Sequence, residues 1–322
     1  MRISFKTVFL ALMVCTSPCL YAISSLEEQA EKTLDKIYHT LESMPNKSMV
    51  KRLEFISYFF LGRPYILGSL GEGEGAEIDQ FPRFRTDSFD CETYVTTVLA
   101  AALSNNNQEF QYYLLNIRYF KGVRKYINRN HFTDLDWNGN NQKQGFVKDI
   151  TMTFLDENKK PLALIAQANI DKSSWYSHMS INQVRLISPN IEEQQKRLNR
   201  LKLQTANLPV ETAQIPYLPL TALFYADGRP NKTLFQQIPN ASIIEIIRPN
   251  WDLTKQIGTH LNISHLGFAF WKKDQLVFRG ASSEYSKVVD VPLIEYLYKA
   301  RNSPTIRGIN VQIIVPEQPG KH

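Results

Sequence analysis

The chain has 322 residues, of which 43% are hydrophobic, and a formal net charge of +6. This content suffices for one large domain or two closely packed ones, and the absence of repeats or low-complexity stretches excludes a disordered or solenoid chain. Lys and Arg are scattered without a basic run, so we predict no nucleic-acid partner. The mild positive charge suits a polyanionic wall or a membrane surface instead.

The first 22 residues are typical of a secretory signal. Arg2 and Lys6 precede an apolar run over residues 7–13, and Ala22 closes the segment before polar residues begin. This run is shorter than the about 20 apolar residues of a membrane-spanning helix. We therefore predict cleavage near Ala22, no transmembrane segment in the mature chain, and a location in the periplasm or outside the cell.

Signal removal would take away two of the three cysteines, Cys15 and Cys19. Neither fits lipoprotein acylation, because Val14 and Pro18 precede them where small residues are needed. Cys91 would then remain without a partner for an internal disulfide. A lone thiol in an oxidising compartment is usually either buried or used, so Cys91 is the first candidate for chemistry.

Helical patterns fill the first hundred residues. Leu26 to Leu41 repeats with a helical period, and Ser25 with Glu28 suggests a capping box at its start. Val50 to Phe60 indicates a second helix. The glycine-rich residues 68–75 that follow do not have a phosphate-binding spacing, so we interpret them as a bent connection.

A third helix is predicted from Cys91 to Leu103, opened by Asp90, a residue that caps helices well. Cys91 then lies in the first turn, where unpaired N–H groups and the helix dipole favour a thiolate and lower the thiol pKa. The same N–H groups can stabilise the oxyanion that forms when a thiolate attacks a carbonyl. Cys91 is therefore a candidate nucleophile.

Residues 104–240 have a mixed pattern, which we interpret as an elaboration on a core. They contain a polar loop over residues 131–144, a helix over 191–203 and a Pro-rich segment over 208–219. No regular alternation or long apolar stripe joins these pieces.

The polar loop raises two alternatives. His131, Asp134 and Asp136 are irregularly spaced, which favours hydrogen bonding over metal coordination, so we predict no metal site. Trp137 and Trp175 could line a sugar-binding groove, because aromatic faces pack against sugar rings, or they could be ordinary core residues. Sequence alone leaves both interpretations open.

The last quarter of the chain is predicted to be rich in strands. Four segments alternate or run apolar, namely residues 242–247, 265–271, 275–281 and 309–315. Asp290-Val-Pro292 predicts the start of a short helix. Helices first and antiparallel strands later indicate an α+β fold.

Among six histidines, His265 is the candidate base. It opens a strand in which alternation places His265, Gly267 and Ala269 on one face. We expect this small face to let the Cys91 helix pack closely and bring the thiol to the imidazole. A two-residue turn after this strand would place Ser282 opposite His265, which makes Ser282 a candidate orienter of the ring.

Other interpretations are weaker. A lone cysteine or a lone strand histidine is more often structural than catalytic, but the two together in an exported chain favour catalysis. No Gly-x-Ser-x-Gly elbow is present, which disfavours a serine hydrolase.

These residues resemble the NlpC/P60 superfamily of papain-like cell-wall hydrolases, and more closely its DUF1460 branch. The resemblance spans residues 62 to about 296 and rests on the segments Gly62–Tyr65, Phe89–Val95, Arg129–Trp137, Ile263–Gly267 and Arg279–Ser283. It implies a papain-like core of helices on an antiparallel sheet, with a large insertion at about 104–240. The mature chain, 23–322, would then be a single amidase domain.

The resemblance implies an N-acetylmuramoyl-L-alanine amidase acting on peptidoglycan or muropeptide fragments without a cofactor. It implies Cys91 as nucleophile and His265 as general base. Tyr65 and Asp90 would lie near the oxyanion or substrate, and the segment from His131 to Trp137 would lie beside the substrate.

One position departs from the family pattern: Gly280 stands after Arg279 where the family has a histidine. If that histidine orients the catalytic imidazole, then Ser282, a water or another group must replace it, and losing such an orienter can cost orders of magnitude in rate. Three functions therefore stay open. They are the amidase, a D-glutamyl-diaminopimelate endopeptidase of the same fold, and a weakly active or inactive wall-binding or effector protein.

Overall fold

The computed structural model describes residues 18–45, 48–316 and 319. The predicted signal segment up to residue 17, including Cys15, lies outside the described residues. A helix begins at Pro18, so the predicted cleavage point near Ala22 falls within it. None of the helices in this described part is long and apolar enough to cross a membrane.

An eight-stranded antiparallel sheet forms the centre of the molecule. Its order is β2-β3-β8-β4-β5-β6-β7, and β1 also pairs with β8. The strands are β1 (Val147–Asp149), β2 (Leu164–Asp171), β3 (Val210–Pro219), β4 (Ser242–Leu253), β5 (Thr259–Lys272), β6 (Gln275–Ser282), β7 (Lys287–Pro292) and β8 (Gly308–Ile314). The predicted α+β class is confirmed.

Helices cover both faces of this sheet. They are α1 (Pro18–Ser43), α2 (Met49–Phe59), α3 (Cys91–Leu103), α4 (Asn107–Arg118), α5 (Asn138–Lys143), α6 (Lys172–His178), α7 (Ile191–Thr205), α8 (Leu220–Leu223), α9 (Lys232–Phe235), α10 (Thr254–Ile257) and α11 (Leu293–Ala300). A π-helical turn, Thr133–Trp137, leads into α5.

The helix α3 packs on the large face of β5, not on the small one. Leu266 and Phe268 belong to the same hydrophobic cluster as α3, and the Tyr94 and Phe268 rings lie edge to face at 6.2 Å. The expectation that the face of Gly267 and Ala269 receives α3 is therefore corrected. Large apolar side chains bury more area against a helix than glycine and alanine do, and the small face instead joins the cluster beneath α11.

The predicted turn between β5 and β6 is confirmed. Lys272 pairs with Gln275, and the pairing continues to Phe268 opposite Arg279. Lys273 adopts a left-handed φ of 54°, as tight two-residue hairpin turns require.

Several sequence predictions are corrected by the strands and helix ends. The Pro-rich segment forms β3, and residues 287–292 form β7, so the helix predicted from Asp290 begins only at Leu293. Ser25 was predicted to open the first helix, but it lies inside α1, which begins at Pro18. Asp290 is held in β7 because its carboxylate receives Arg279 from the neighbouring strand.

Arg279 fixes this part of the sheet. Its side chain is completely buried, and its Nε and Nη2 atoms donate to the Asp290 carboxylate at 2.6 and 2.8 Å. Its Nη1 atom donates to the Ser57 hydroxyl in α2 at 2.9 Å. A buried guanidinium needs such partners, so β6, β7 and α2 are tied together next to Gly280.

Candidate active site

Asp90 organises the start of α3. Its carboxylate accepts hydrogen bonds from the Thr93 N–H and hydroxyl, both at 2.8 Å, and the Thr93 hydroxyl accepts one from the Asp90 N–H at 2.9 Å. Its other oxygen accepts a hydrogen bond from the Gly68 N–H at 2.8 Å. This capping box, together with the bond to Gly68 in the glycine-rich loop, fixes the first turn of α3 and so the position of Cys91.

Cys91 is the first residue of α3 and is half-buried. The backbone N–H groups of Leu266 and Glu92 lie near the thiol and favour its thiolate form, which acts to lower its pKa. Burial nevertheless raises the thiol pKa to about 12, and the neighbouring Asp90 charge adds to the shift. The expectation that the helix end lowers this pKa is corrected, because removal from water outweighs the helix end.

His265 directly precedes Leu266 on β5, and the backbone of Leu266 lies next to the Cys91 thiol. The ring is half-buried and packs edge to face against Phe278, with centroids 5.5 Å apart. Burial lowers its pKa to about 4. The resting site therefore holds a neutral thiol and a neutral imidazole over the physiological pH range.

Little else holds the imidazole. The backbone of His265 pairs with Ile246 in the sheet, but no residue that the structure describes forms a hydrogen bond with its imidazole. The Ser282 hydroxyl accepts a hydrogen bond from the Tyr285 N–H at 3.3 Å in the turn that follows β6. A Cβ atom placed on Gly280 would lie 3.6 Å from His265 Nε2 and 3.3 Å from the Leu266 carbonyl oxygen. Gly280 therefore leaves open the position from which a side chain would reach the ring.

Two tyrosines flank the thiol. Tyr65 is half-buried, and burial, followed by the nearby Cys91, raises its pKa to about 12. Tyr296 of α11 stacks on Phe278 at 5.6 Å, and burial raises its pKa, with Cys91 among the lesser causes. Both phenols therefore remain protonated and able to donate. The resemblance singled out Tyr65 but not Tyr296, because a tyrosine in a short helix carries no local sign of the site.

A cavity of about 490 Å³ opens beside the start of α3. Its lining includes Asp90, Glu92, Arg129, His131 and Trp175. Glu92 is half-buried and accepts a hydrogen bond from Thr96 at 2.7 Å, while burial raises its pKa. The cavity thus presents a carboxyl group, an imidazole and an indole within reach of the helix that carries Cys91.

Ion pairs build one wall of this cavity. Arg129 donates to Glu72 and, at 2.9 Å, to the buried Asp79. Arg185 also donates to Asp79, and to the Gly68 carbonyl oxygen. These ion pairs hold the glycine-rich loop against the cavity wall. The pairing could not be predicted from the sequence, because its partners are distant in the chain.

His131 and Trp137 lie in different surroundings, the first in the cavity wall and the second in the core. His131 lines the cavity, where its Nε2 lies 2.8 Å from the Tyr126 carbonyl oxygen, and burial keeps its pKa well below the usual range. Trp137 is completely buried, and its indole N–H donates to Thr96 at 3.0 Å. The prediction that Trp137 contacts substrate is therefore corrected, since this residue belongs to the core.

No group of three or more His, Cys, Asp and Glu residues that could hold a metal ion occurs in the part of the chain that the structure describes.

Comparisons with known proteins define the class of this molecule as amidase-like. A crystal structure of a DUF1460 protein from Legionella pneumophila strain Philadelphia 1 is similar with a TM-score of 0.89 and 55% identity, covering 92% of this chain and 98% of that one. Two crystal structures of an N-acetylmuramoyl-L-alanine amidase from Bacteroides uniformis have TM-scores of 0.55 and 0.56 at 25% identity. They cover 83 and 84% of this chain and 99 and 100% of theirs. No curated protein sequence matches the chain.

The model of one family matches residues 55–306, which is most of the chain. The chain therefore belongs to the AmiA-like family of N-acetylmuramoyl-L-alanine amidase-like proteins.

Proposed function

We propose that this protein is a cysteine-dependent peptidoglycan amidase that cuts the amide between the lactyl group of N-acetylmuramic acid and L-alanine. The observation that carries the proposal is the position of Cys91, at the first turn of α3, next to the backbone of Leu266, the residue that follows His265 on β5. A cavity lined by Asp90 and Glu92 opens beside the same helix end. Family membership and the amidase from Bacteroides uniformis support the choice of bond.

We also infer that α3 and the strands β4, β5 and β6 correspond to a papain-like NlpC/P60 core. A cysteine at the start of a buried helix that packs on an antiparallel sheet, with a histidine on that sheet, supports this correspondence. In this interpretation residues 23–322 form a single domain, and the insertion at about 104–240 supplies β2, β3 and one wall of the cavity.

The reaction begins with a neutral pair. His265 accepts the thiol proton as Cys91 Sγ attacks the amide carbon, so the thiolate forms only in the course of attack. The negative charge moves to the carbonyl oxygen, where the Cys91 N–H at the helix end and the Tyr65 hydroxyl can donate hydrogen bonds. The raised pKa of Tyr65 keeps that donor protonated.

Collapse of the tetrahedral intermediate breaks the carbon–nitrogen bond. The proton on His265 passes to the departing amine of L-alanine, which leaves as a free peptide, and the lactyl group stays on Cys91 as a thioester. Water then attacks the thioester with His265 again as base. The products are free N-acetylmuramic acid and the peptide, and the enzyme returns to its neutral pair.

We propose export to the periplasm or the outside of the cell, where peptidoglycan is found. The basic head, short apolar run and Ala22 at the start of the sequence support this location. Detection of the chain with residue 23 at its N-terminus in the periplasmic or culture fraction is the expected result, whereas a full-length cytoplasmic chain would contradict it.

The test is product analysis on a defined muropeptide that contains N-acetylmuramic acid and the L-Ala-D-Glu-diaminopimelate stem. Mass spectrometry should show free N-acetylmuramic acid and an intact peptide with L-alanine at its N-terminus. Cys91→Ala should lower turnover by about 10³-fold or more, because it removes the nucleophile. Release of diaminopimelate from the D-glutamyl residue would show an endopeptidase instead, and turnover by Cys91→Ala equal to wild type would exclude cysteine catalysis.

A second candidate is a wall-binding or effector protein that keeps the fold with weak catalysis. The unbonded imidazole of His265 and the glycine at position 280 favour it. Tight muropeptide binding measured by calorimetry, combined with turnover by wild type no faster than by Cys91→Ala, would support this candidate against the amidase.

A further inference from the structure

A stretch without acidic residues runs through the surface beside the cavity. From Phe110 to Thr133 the sequence contains no Asp or Glu, yet it contains five basic residues. These are Arg118, Lys121, Arg124, Lys125 and Arg129. Arg118 is buried and Arg129 is paired with Glu72 and Asp79, so the excess at the surface comes from Lys121, Arg124 and Lys125. Three exposed positive charges with no acidic neighbour in the sequence favour an anionic partner.

The middle of this stretch, residues 120–128, forms a closed loop that we call the basic loop. Tyr119 and Arg129 pair across its base, and the Asn130 N–H donates to the Arg118 carbonyl oxygen at 2.8 Å. The base is anchored further by Arg129, which donates to the buried Glu72 and Asp79. The loop is thus a firmly held projection and not an unanchored segment.

The tip of the basic loop exposes apolar and basic side chains side by side. Phe120, Val123 and Ile127 are 54, 42 and 40% exposed. Lys121, Arg124 and Lys125 are exposed, and none of them forms an ion pair with any residue that the structure describes. The Lys121 ammonium lies 5.3 Å from the Phe120 ring centroid. Apolar groups at this exposure cost free energy in water unless a partner covers them.

A groove of about 450 Å³ continues this surface toward α4. Its lining contains apolar and basic residues and no acidic one: Arg83, Phe84, Gln111, Tyr112, Leu114, Leu115, Arg118, Tyr119 and Arg124. Arg83 is paired with Glu27, whereas Arg124 contributes its charge at the edge shared with the basic loop. The same combination of apolar area and positive charge therefore extends beyond the loop.

We propose that the basic loop docks on the surface of a bilayer that contains anionic phospholipid. Lys121, Arg124 and Lys125 lie among the anionic headgroups, while Phe120 and Ile127 enter the boundary between headgroups and acyl chains. A polyanionic glycan would match the charge but leave the apolar side chains in water, so lipid fits the surface better. This inference does not depend on the amidase proposal.

The position of the loop gives docking a consequence for the site. Tyr126 and Arg129, in and at the base of the loop, line the cavity beside the start of α3. Docking therefore holds that cavity at the membrane surface, where a substrate embedded in or attached near the bilayer would be presented to it.

The test is co-sedimentation of the mature protein with vesicles of phosphatidylcholine, with and without phosphatidylglycerol, at low and high salt. The protein should bind only the anionic vesicles, and salt should weaken binding. Lys121→Gln/Arg124→Gln/Lys125→Gln should lower the partition coefficient by roughly 100-fold, about fivefold for each charge. Phe120→Ser/Val123→Ser/Ile127→Ser should lower it by about tenfold.

A matched control is Ile191→Ser/Leu203→Ser, which removes apolar side chains that are 77 and 78% exposed on α7. This variant should bind like wild type, and thermal unfolding should show that all three variants are folded. Equal binding to vesicles without phosphatidylglycerol, or no loss in the triple glutamine variant, would overturn the proposal. Binding of wild type to purified peptidoglycan but not to anionic vesicles would assign the loop to the glycan instead. If a variant fails to fold, the effect of salt on vesicle binding by the wild type still tests whether charge contributes to docking.

Discussion

The start of α3 and the part of β5 that carries His265 are held in different ways. At the helix, the Asp90 carboxylate accepts hydrogen bonds from Thr93 and Gly68, and the backbone N–H groups of Leu266 and Glu92 lie near the Cys91 thiol. At the strand, the imidazole is positioned by contact with Phe278 and by no hydrogen bond from any described residue. The nucleophile is therefore fixed by polar contacts and the base only by packing, so substitutions on the two sides should have different signatures.

The largest effect is expected from the base itself. His265→Ala should lower kcat/KM by about 10³-fold or more, because it removes the proposed general base. His39→Ala is the matched control, since that side chain is 90% exposed on α1. Steady-state kinetics on the muropeptide measures both variants, and a His265→Ala enzyme within tenfold of wild type would show that another base acts.

The next largest effect is expected at the start of α3, where Asp90 holds the first turn of the helix. Asp90→Ala removes the cap of α3 and leaves the Gly68 N–H without its acceptor, so it should lower the free energy of unfolding by about 2–3 kcal/mol. Activity should fall by about 10- to 100-fold as Cys91 loses its alignment. Urea denaturation and kinetics measure the two effects.

Asn106→Ala provides the control for this substitution. Asn106 caps α4 through the Glu109 N–H at an exposed position. Its loss should cost only about 1 kcal/mol and leave turnover unchanged. If Asp90→Ala is no more harmful than Asn106→Ala, the carboxylate does not align the nucleophile.

A pH titration separates a neutral pair from a preformed ion pair. Burial raises the Cys91 pKa to about 12, so the thiolate fraction should grow about tenfold for each pH unit between about 6 and 9. Alkylation of Cys91 by iodoacetamide should follow the same slope. A plateau of fast alkylation below pH 8 would mean that His265 already holds the proton at rest.

The smallest effect is expected from adding a hydrogen-bonding side chain at position 280, beside the loosely held imidazole of His265. Gly280→Asn should raise kcat by about two- to tenfold, because its amide can reach His265 Nε2 from a Cβ position 3.6 Å away. Gly280→Ala adds the Cβ without a hydrogen-bonding group and should leave kcat unchanged. An equal response of the two variants would mean that orientation of the ring does not limit the reaction.

Much of the central fold was accessible from sequence because its residues are locally consistent. The apolar segments that became β4, β5, β6 and β8 alternate or run apolar between clear turns, and Asp90 marks the start of α3. The strands β2 and β3 escaped because one of their faces is exposed and polar, with pairs such as Thr212 with Asn169, and because Pro216 and Pro219 argue against a strand.

The candidate site was only partly accessible for a different reason. Cys91 and His265 could be singled out by residue type, but the face of β5 that receives α3 depends on which side buries more area, a tertiary property. The same holds for the thiol pKa, since the helix end is visible in the sequence and the burial is not. Tyr296 lies near the site because α11 packs on Phe278, and such a tertiary contact cannot be predicted from a local sequence pattern.

Arg279 makes the backbone at position 280 independent of the side chain there. Because its guanidinium locks β6 to Asp290 and Ser57, the backbone at Gly280 is set by its neighbour and not by its own side chain. A hydrogen-bonding side chain at position 280 would therefore lie beside His265 while Arg279 still holds β6 to its neighbours, so the strength of the base can be tuned separately from the fold.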